Sequence, residues 1–178
     1  MIVLCVAATL IGTAAIIIIG VRTNALRNGT WRGDARPAYE PARCVVAWWL
    51  FLAITGYAFL PIIAPRFESF DAPIGGIAAL ELVTAFIVWL AGASGGPTRG
   101  FLRDLGSDRG EIALHAVQFV AWNALVGVTL ALTTMRKGEV PTIRWTLPAL
   151  LSVSAGYYII FRTSRLGAAG SSSNSTAS

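Results

Sequence analysis

The amino-acid sequence predicts an all-α fold, namely a polytopic integral membrane bundle of four to five transmembrane helices. The first observation is composition: of 178 residues, 55% are hydrophobic and 13% are charged, and the mean hydropathy is +0.66. Soluble domains are nearer a quarter charged, because their surfaces must be wetted. The second observation is that the apolar residues gather in blocks of about 20, the helix length that crosses a bilayer core. Lipid is therefore the predicted solvent for most of the chain.

The third observation is where the charges lie. The formal net charge of +5 and the isoelectric point of about 9.9 could indicate a nucleic-acid-binding protein. The arginines, however, lie in short loops between the apolar blocks and form no polar face. Basic loops beside apolar blocks are typical of membrane proteins, so nucleic acid is not a predicted partner.

Five segments qualify as membrane-spanning helices, because an open strand in lipid would leave backbone groups unpaired. They cover residues 2–21, 44–65, 74–93, 112–134 and 145–161. The first lacks the positively charged start of a signal peptide and is predicted to be retained. The fifth is the shortest and most polar, which leaves four spans as the alternative. Residues 1–163 form the predicted bundle, and the polar, low-complexity residues 164–178 are predicted to be disordered.

The basic residues also predict an orientation. With five crossings, the first loop, the third loop and the tail share one side and hold ten of the fourteen Lys and Arg residues. The positive-inside rule then favours an amino terminus outside and a carboxyl terminus in the cytoplasm. Five of these arginines lie in residues 22–43. For the third loop, which includes GPTRGFLRDLGSDRGE, a solvated loop is favoured over a short interfacial turn around Phe101–Leu105.

One acidic residue, Glu81, lies about 4 Å from the centre of the third predicted helix. An acidic side chain at that depth costs on the order of 3 kcal/mol, so such a group usually faces other helices. The favoured interpretation is a neutral or hydrogen-bonded packing residue, and the alternative is a proton or cation site. Asn123, near the centre of the fourth helix, is the predicted partner, and Thr84 lies on the same face as Glu81.

Gln118 and His115 complete the intramembrane polar candidates, one and two turns closer to the loop that precedes the fourth helix. A single histidine near an interface is more often hydrogen-bonded or reaching for the headgroups than a ligand. No Cys, His and carboxylate cluster has metal-ligand spacing, and nothing is spaced to activate a serine through His115. The sequence predicts no catalytic residue, metal or cofactor, and no enzyme. Cys44, beside the membrane, is a candidate S-acylation site, although an unmodified thiol is favoured.

Aromatic and small residues predict contacts with headgroups and between helices. Trp48, Trp49 and Trp145 lie near segment ends, where amphipathic rings prefer the headgroup region, whereas Trp122 lies deep and is expected to pack between helices. Small residues four apart let helices approach closely. Three pairs have this spacing: Ala8 with Gly12, Gly75 with Ala79, and Ser152 with Gly156.

The stretch YAFLPIIAPRFESFDAPIGGIAALELVTAFIVWLAGASGG, residues 57–96, resembles the middle of fungal MARVEL-type tetraspan membrane proteins. The matching elements are the tyrosine-containing end of a second helix, a short Pro-Arg-Phe loop, and a third helix containing Ala-Leu-Glu-Leu-Val-Thr. The stretch AVQFVAWNALVGVTLAL is similar to the family's fourth helix. The resemblance implies a four-helix bundle that associates with other membrane proteins or particular lipids and has no catalytic centre. In it, Glu81 and Trp89 would be helix-packing residues.

Three functions remain open from the sequence. The favoured one is a non-enzymatic integral membrane protein that organises membrane domains or associates with lipids and other integral membrane proteins. The second is an accessory or structural subunit of a larger membrane protein complex. The third is a small proton- or ion-coupled translocator centred on Glu81.

Overall fold

The computed structural model describes residues 2–27, 29, 36–63, 72–91, 97–108, 111–137 and 141–173. Over these residues the regular structure is helical, apart from one pair of two-residue strands. The helices are α1 (Ile2–Arg22), α2 (Pro41–Ile63), α3 (Ala72–Leu90), α4 (Phe101–Leu105), α5 (Leu114–Lys137) and α6 (Thr146–Ser173). The strands β1 (Ser107–Asp108) and β2 (Glu111–Ile112) pair antiparallel, with Ser107 opposite Ile112 and Asp108 opposite Glu111. The predicted helical class is confirmed.

Each of the five predicted apolar segments overlaps one of the long helices. Observed ends differ from the predicted ends by no more than three residues, except at the carboxyl end of α6. Pro41 is the first residue of α2 and Pro148 is the third of α6. Proline is tolerated at such positions because the first helical N–H groups have no partner within the helix. Residues 64–65 and 92–93, which end two predicted segments, lie outside the described residues.

Two predictions about polar segments differ from the structure. Helix α6 continues to Ser173, so residues 164–173 are helical where composition predicted disorder. This stretch contains no proline, and extending an existing helix is much easier than starting one. Residues 174–178 lie outside the described part of the chain. The second difference is α4, which forms where a solvated loop was predicted, because the carboxylate of Asp104 accepts hydrogen bonds from three groups of the surrounding loops.

Within the described residues, α5 is the one helix long and apolar enough to cross a membrane, with a mean hydropathy of 1.6 over its most apolar stretch. Only 28% of that stretch is buried inside the protein, so most of it faces outward. Shorter apolar stretches lie in α1, α2 and α3, at Leu10–Gly20, Pro41–Gly56 and Ile74–Leu90. A bundle with four to five spans therefore stays a prediction.

Four of the long helices pack as a ring, with α1 outside it. Helix α2 packs against α3 and α5, and α6 packs against the same two helices. It follows that α2 and α6 lie at opposite corners of the ring, as do α3 and α5. Helix α1 packs on the outer side of α2.

Contacts between loops give the helix directions. The backbone N–H of Tyr39 donates to Asp104 at 3.2 Å, which joins the segment before α2 to the segment before α5. Helices α2 and α5 therefore begin at the same end of the bundle, and short connections return the chain through α3 and α6. We call this end the arginine end, because Arg27 and Arg43 lie there, in and beside the segment that precedes α2.

The outward faces of the helices are apolar, while several polar side chains are buried. Leu82 is 62% exposed, Phe86 is 54% exposed and Val153 is 70% exposed. In contrast, the side chains of Glu81 and Asn123 are almost completely buried. Soluble monomers rarely expose apolar surface on this scale.

Candidate functional site

A layer of polar side chains lies in the middle of the four-helix ring, between apolar levels. On α3, Ile77 precedes it and Val88 follows; on α5, Phe119 precedes it and Val126 follows. All four of these apolar residues are buried. We call the following residues the polar layer: Trp49 from α2, Glu81 and Thr84 from α3, Asn123 from α5, and Ser154 from α6.

Asn123 connects the members of this layer. Its Oδ1 accepts a hydrogen bond from Trp49 Nε1 at 2.8 Å, and its Nδ2 donates to the carbonyl of Phe119 at 3.0 Å. A side-chain amide has two N–H donors, so one N–H remains for another acceptor. The hydrogen bond to Trp49 joins α2 to α5 at a site that is sealed from solvent.

Glu81 faces Asn123 across the ring. Its side chain is 1% exposed. The Asn123 side chain is close enough to interact with the carboxyl group, but no donor among the described residues meets the distance and angle of a hydrogen bond to either carboxyl oxygen. We interpret this pair as close but not hydrogen-bonded, because alignment distinguishes a bond from proximity. The free N–H of Asn123 is the donor that a small rotation would bring to Glu81.

Thr84 and Ser154 add hydroxyl groups to the layer. The Thr84 hydroxyl donates to the carbonyl of Leu80 at 2.8 Å and keeps its lone pairs for accepting. Ser154 Oγ has no hydrogen-bond partner within the described part of the chain. A carboxyl, an amide and hydroxyls at one level are suited to holding a proton, a water molecule or a small cation. Among the described residues, no group of three His, Cys, Asp or Glu side chains could hold a metal ion.

His115 and Gln118 lie outside the polar layer. His115 is eight residues before Asn123, about 12 Å along α5. Its ring is buried and packs against the rings of Tyr158 and Phe161, at centroid distances of 5.9 and 5.8 Å. The histidine is therefore a packed core residue and does not extend toward the headgroups. Gln118 is half-buried.

A second buried polar cluster lies at the arginine end, and the sequence did not indicate it. Glu40 forms an ion pair with Arg162 at 3.0 Å, and the hydroxyl of Tyr158 donates to the same carboxylate. The Glu40 side chain is 2% exposed and that of Arg162 is 12% exposed. The cluster joins the start of α2 to the diagonal helix α6 across 122 residues of sequence. In the sequence, Glu40 is an acidic residue just before Pro41 and Arg162 is a basic residue just after the apolar run YYIIF. Nothing in the sequence links these two charges, and only the fold brings them together.

The loops at the arginine end fold against each other. Asp104 accepts hydrogen bonds from the hydroxyl of Thr98 and from the backbone N–H groups of Tyr39 and Arg99. The guanidinium of Arg27 lies 3.9 Å from the centre of the Tyr39 ring and donates to a backbone carbonyl at 2.7 Å. Three donors on one carboxylate make strong, charge-assisted contacts. They explain why α4 is an ordered turn.

Cys44 is a free thiol in the first turn of α2. It is half-buried, and its Sγ lies 3.9 Å from the carbonyl of Leu26, within the range of a weak hydrogen bond. S-acylation requires a thiol that can reach an acyl donor. This position therefore keeps the unmodified thiol as the favoured interpretation.

Two tryptophans lie where the sequence did not place them. Trp49, expected at the headgroups, is buried in the polar layer, because Asn123 gives its indole N–H a partner inside the ring. Trp122, expected between helices, is 42% exposed on the outer face of α5. A large apolar ring near the middle of a predicted helix suggested burial. In the structure the neighbouring Asn123 faces the inside of the ring, so Trp122 faces outward.

Close packing of helices also differs from the predicted pattern. A Cβ atom added to Gly12 would lie 3.2 Å from Ile54, so this glycine does lie at the contact of α1 with α2. At Gly75 and Gly156, no atom of the described part of the chain lies within 4 Å of such a Cβ. The tightest contact is at Gly127 of α5, where the Cβ would lie 2.4 Å from Nε1 of Trp48.

Comparison with known proteins gives no match: no family model, no curated protein and no solved structure matches the chain. The resemblance to MARVEL-type proteins therefore rests on the residues quoted for it.

Proposed function

We propose that the chain is a multi-pass integral membrane protein, without enzymatic activity, that organises its surroundings through contacts with lipids and other membrane proteins. The observation that carries this proposal is the distribution of polarity. The helices turn Leu82, Phe86 and Val153 outward and keep Glu81 and Asn123 inside. Lipid tails are a good solvent for the outward side chains, and interhelical polar contacts are a recognised way to hold membrane helices together.

The proposed topology has five crossings with the arginine end in the cytoplasm. The ion pair of Glu40 with Arg162 supports a fifth crossing, because it brings the carboxyl half of α6 to the end where α2 begins. From Thr146 to Arg162 the helix rises about 24 Å, most of the hydrocarbon thickness of about 30 Å. A fifth segment lying flat on the membrane would not make this contact.

Extraction of membranes with alkaline carbonate tests integration directly. We expect the full chain to stay in the membrane pellet, as an integral protein does. Release into the supernatant would contradict the proposal. A peripheral membrane protein expressed in the same cells is the control, and it should be released.

The second candidate function is that of an accessory subunit in a larger membrane complex. The exposed apolar faces of α3 and α5 support this candidate as well as they support the first, because another membrane protein could pack against them. Extraction with a membrane-solubilising copolymer, which retains surrounding lipid, separates the two candidates. A partner that co-purifies at a fixed ratio supports the subunit. If the chain is recovered with lipid and its protein partners are present only in low and variable amounts, the result supports the membrane-organising function.

The third candidate, a small proton- or ion-coupled translocator centred on Glu81, gains support from one observation: the buried carboxyl oxygens of Glu81 have no hydrogen-bond partner among the described residues. A group that served packing alone would normally be satisfied. Proton flux into liposomes containing the purified chain tests this candidate. The organising function predicts no flux above empty liposomes. Flux that Glu81→Gln abolishes and Thr84→Val preserves would make translocation the better account.

A further inference from the structure

Two members of the polar layer, on different helices, carry polar atoms that have no hydrogen-bond partner among the described residues. They are both carboxyl oxygens of Glu81 on α3 and the hydroxyl oxygen of Ser154 on α6. Glu81 is 1% exposed and Ser154 is 4% exposed, so bulk water reaches neither group. Leaving buried polar atoms unpaired is costly. A partner from outside the chain would remove that cost if it could reach both groups.

Helix geometry brings Ser154 to the level of Asn123. The rings of Phe119 and Tyr158 stack with their centroids 4.7 Å apart, which aligns α5 with the antiparallel helix α6. Four residues farther from the arginine end, each helix carries its member of the polar layer on the same face, about 6 Å beyond the stacked rings. Ser154 therefore faces Asn123 from α6, while Glu81 faces it from α3.

The hydrogen bond from Trp49 decides which part of the Asn123 amide is left for this space. Oδ1 of Asn123 accepts from Trp49 Nε1, and one Nδ2 proton is donated to the carbonyl of Phe119. The second Nδ2 proton is the donor that remains. A metal cation needs oxygen ligands and would meet this N–H instead. A molecule that both accepts and donates hydrogen bonds fits the three groups better.

We propose that the polar layer binds one water molecule, which accepts a hydrogen bond from Nδ2 of Asn123 and bridges the Glu81 carboxyl group to the Ser154 hydroxyl. A buried water typically makes about three hydrogen bonds to groups that would otherwise be unpaired, and these residues supply three. Polar groups that face each other beyond direct bonding distance are commonly bridged in this way. Together with the hydrogen bond from Trp49 to Asn123, the water links all four helices of the ring at one level.

A crystal structure of the full chain in a lipid mesophase, at a resolution that shows ordered water, tests the proposal. We expect a single density peak within about 2.7–3.2 Å of Asn123 Nδ2, a carboxyl oxygen of Glu81 and Ser154 Oγ. A direct hydrogen bond between Glu81 and Asn123, with no peak, would overturn it. Crystals grown with thallous acetate in place of sodium salts separate water from a cation. Anomalous signal at the peak would assign a cation and overturn the water, and its absence would support the water.

The stability of two serine variants tests the site in solution. Ser154→Ala should lower the folding equilibrium constant about fivefold, because it removes one of the three partners of the water. If the Ser154 hydroxyl were unpaired, alanine would instead leave the constant unchanged or raise it. Ser152→Ala is the matched control on α6, because the Ser152 hydroxyl donates to the Pro148 carbonyl of its own helix. We expect it to change the constant less than twofold. Equal effects of the two substitutions would contradict the site.

Coupling between α3 and α6 tests the bridge itself. Leucine in place of Glu81 occupies the space of the carboxyl group and of the water, so Ser154→Ala should change the folding constant less than twofold in a Glu81→Leu chain. A fivefold loss that persists in that chain would overturn the bridge. Unfolding by sodium dodecyl sulfate in mixed micelles measures all of these variants. Carbonate extraction tests membrane integration and not the bridge, so the two proposals can fail separately.

Discussion

The indole Nε1 of Trp49 donates a 2.8 Å hydrogen bond to Oδ1 of Asn123, and both side chains are buried in the middle of the helix ring. The two residues are 74 positions apart in the sequence. In the lipid environment that we propose, apolar contact between helices is no better than contact with acyl chains, so packing and polar contacts determine how helices face one another. We infer that this hydrogen bond helps to fix the rotation of α5, with Asn123 inward and Trp122 outward.

Removing the indole donor should therefore destabilise the bundle. Trp49→Phe keeps an aromatic ring but leaves Asn123 Oδ1 without its donor, and we expect a loss of about 1–2 kcal/mol. Unfolding by sodium dodecyl sulfate in mixed micelles, followed by circular dichroism, measures it. Trp48→Phe is the matched control, because Nε1 of Trp48 has no partner in the described structure. A loss as large in the control would show that ring volume, not the hydrogen bond, is responsible.

Glu81 and Asn123 should respond in opposite ways to leucine. Asn123→Leu removes two hydrogen bonds and should destabilise by about 1–3 kcal/mol. Glu81→Leu replaces a carboxyl group whose oxygens have no hydrogen-bond partner among the described residues, so stability should be unchanged or higher. Thermal unfolding in detergent compares the two variants. A large loss for Glu81→Leu would mean that the carboxyl group forms a stabilising contact absent from this conformation.

The ion pair at the arginine end should be costly to break from one side. Arg162→Met leaves the buried Glu40 carboxylate without its cation and should cost about 3 kcal/mol. Adding Glu40→Gln removes the uncompensated charge, so the double variant should recover at least half of the loss. Additive losses in the double variant would show that the two residues act independently.

Gly127 should tolerate no larger side chain. A Cβ at this position would lie 2.4 Å from Trp48 Nε1 and 2.7 Å from Leu52 Cδ1, so Gly127→Ala should cost about 1–3 kcal/mol through overpacking. Gly156→Ala is the matched control on α6, where the added Cβ meets nothing within 4 Å. That variant should be neutral or stabilised by up to about 1 kcal/mol, since alanine favours helix. Similar losses in both would contradict the tight contact of α5 with α2.

The helices were predictable from the sequence because a long apolar run constrains the chain regardless of its neighbours. The position of Glu81 in the middle of α3 and its nearness to Asn123 were also predictable, since both follow from position along a helix. The rotation of a helix is different. Trp49 and Trp122 were assigned to the wrong environments because composition gives depth but not which side of the helix faces inward.

Contacts between distant loops were beyond the sequence for a related reason. In the sequence, Glu40 and Arg162 each look like a charged residue in a loop. Only the arrangement of α2 and α6 brings the two side chains together. The same holds for the ring itself. The stretches that resemble MARVEL-type proteins lie in α2, α3 and α5, and the fourth helix of the observed ring is α6.

The sidedness of the first loop tests the account most directly. Single cysteines at Thr30 and Ala38, in a chain lacking Cys5 and Cys44, are treated in intact cells with a membrane-impermeant thiol reagent. A cysteine at Ser69, in the following loop, serves as the opposite-side control. We expect Thr30→Cys and Ala38→Cys to label only after permeabilisation and Ser69→Cys to label in intact cells. Labelling of the first loop in intact cells would place the arginine end outside and contradict the proposed topology.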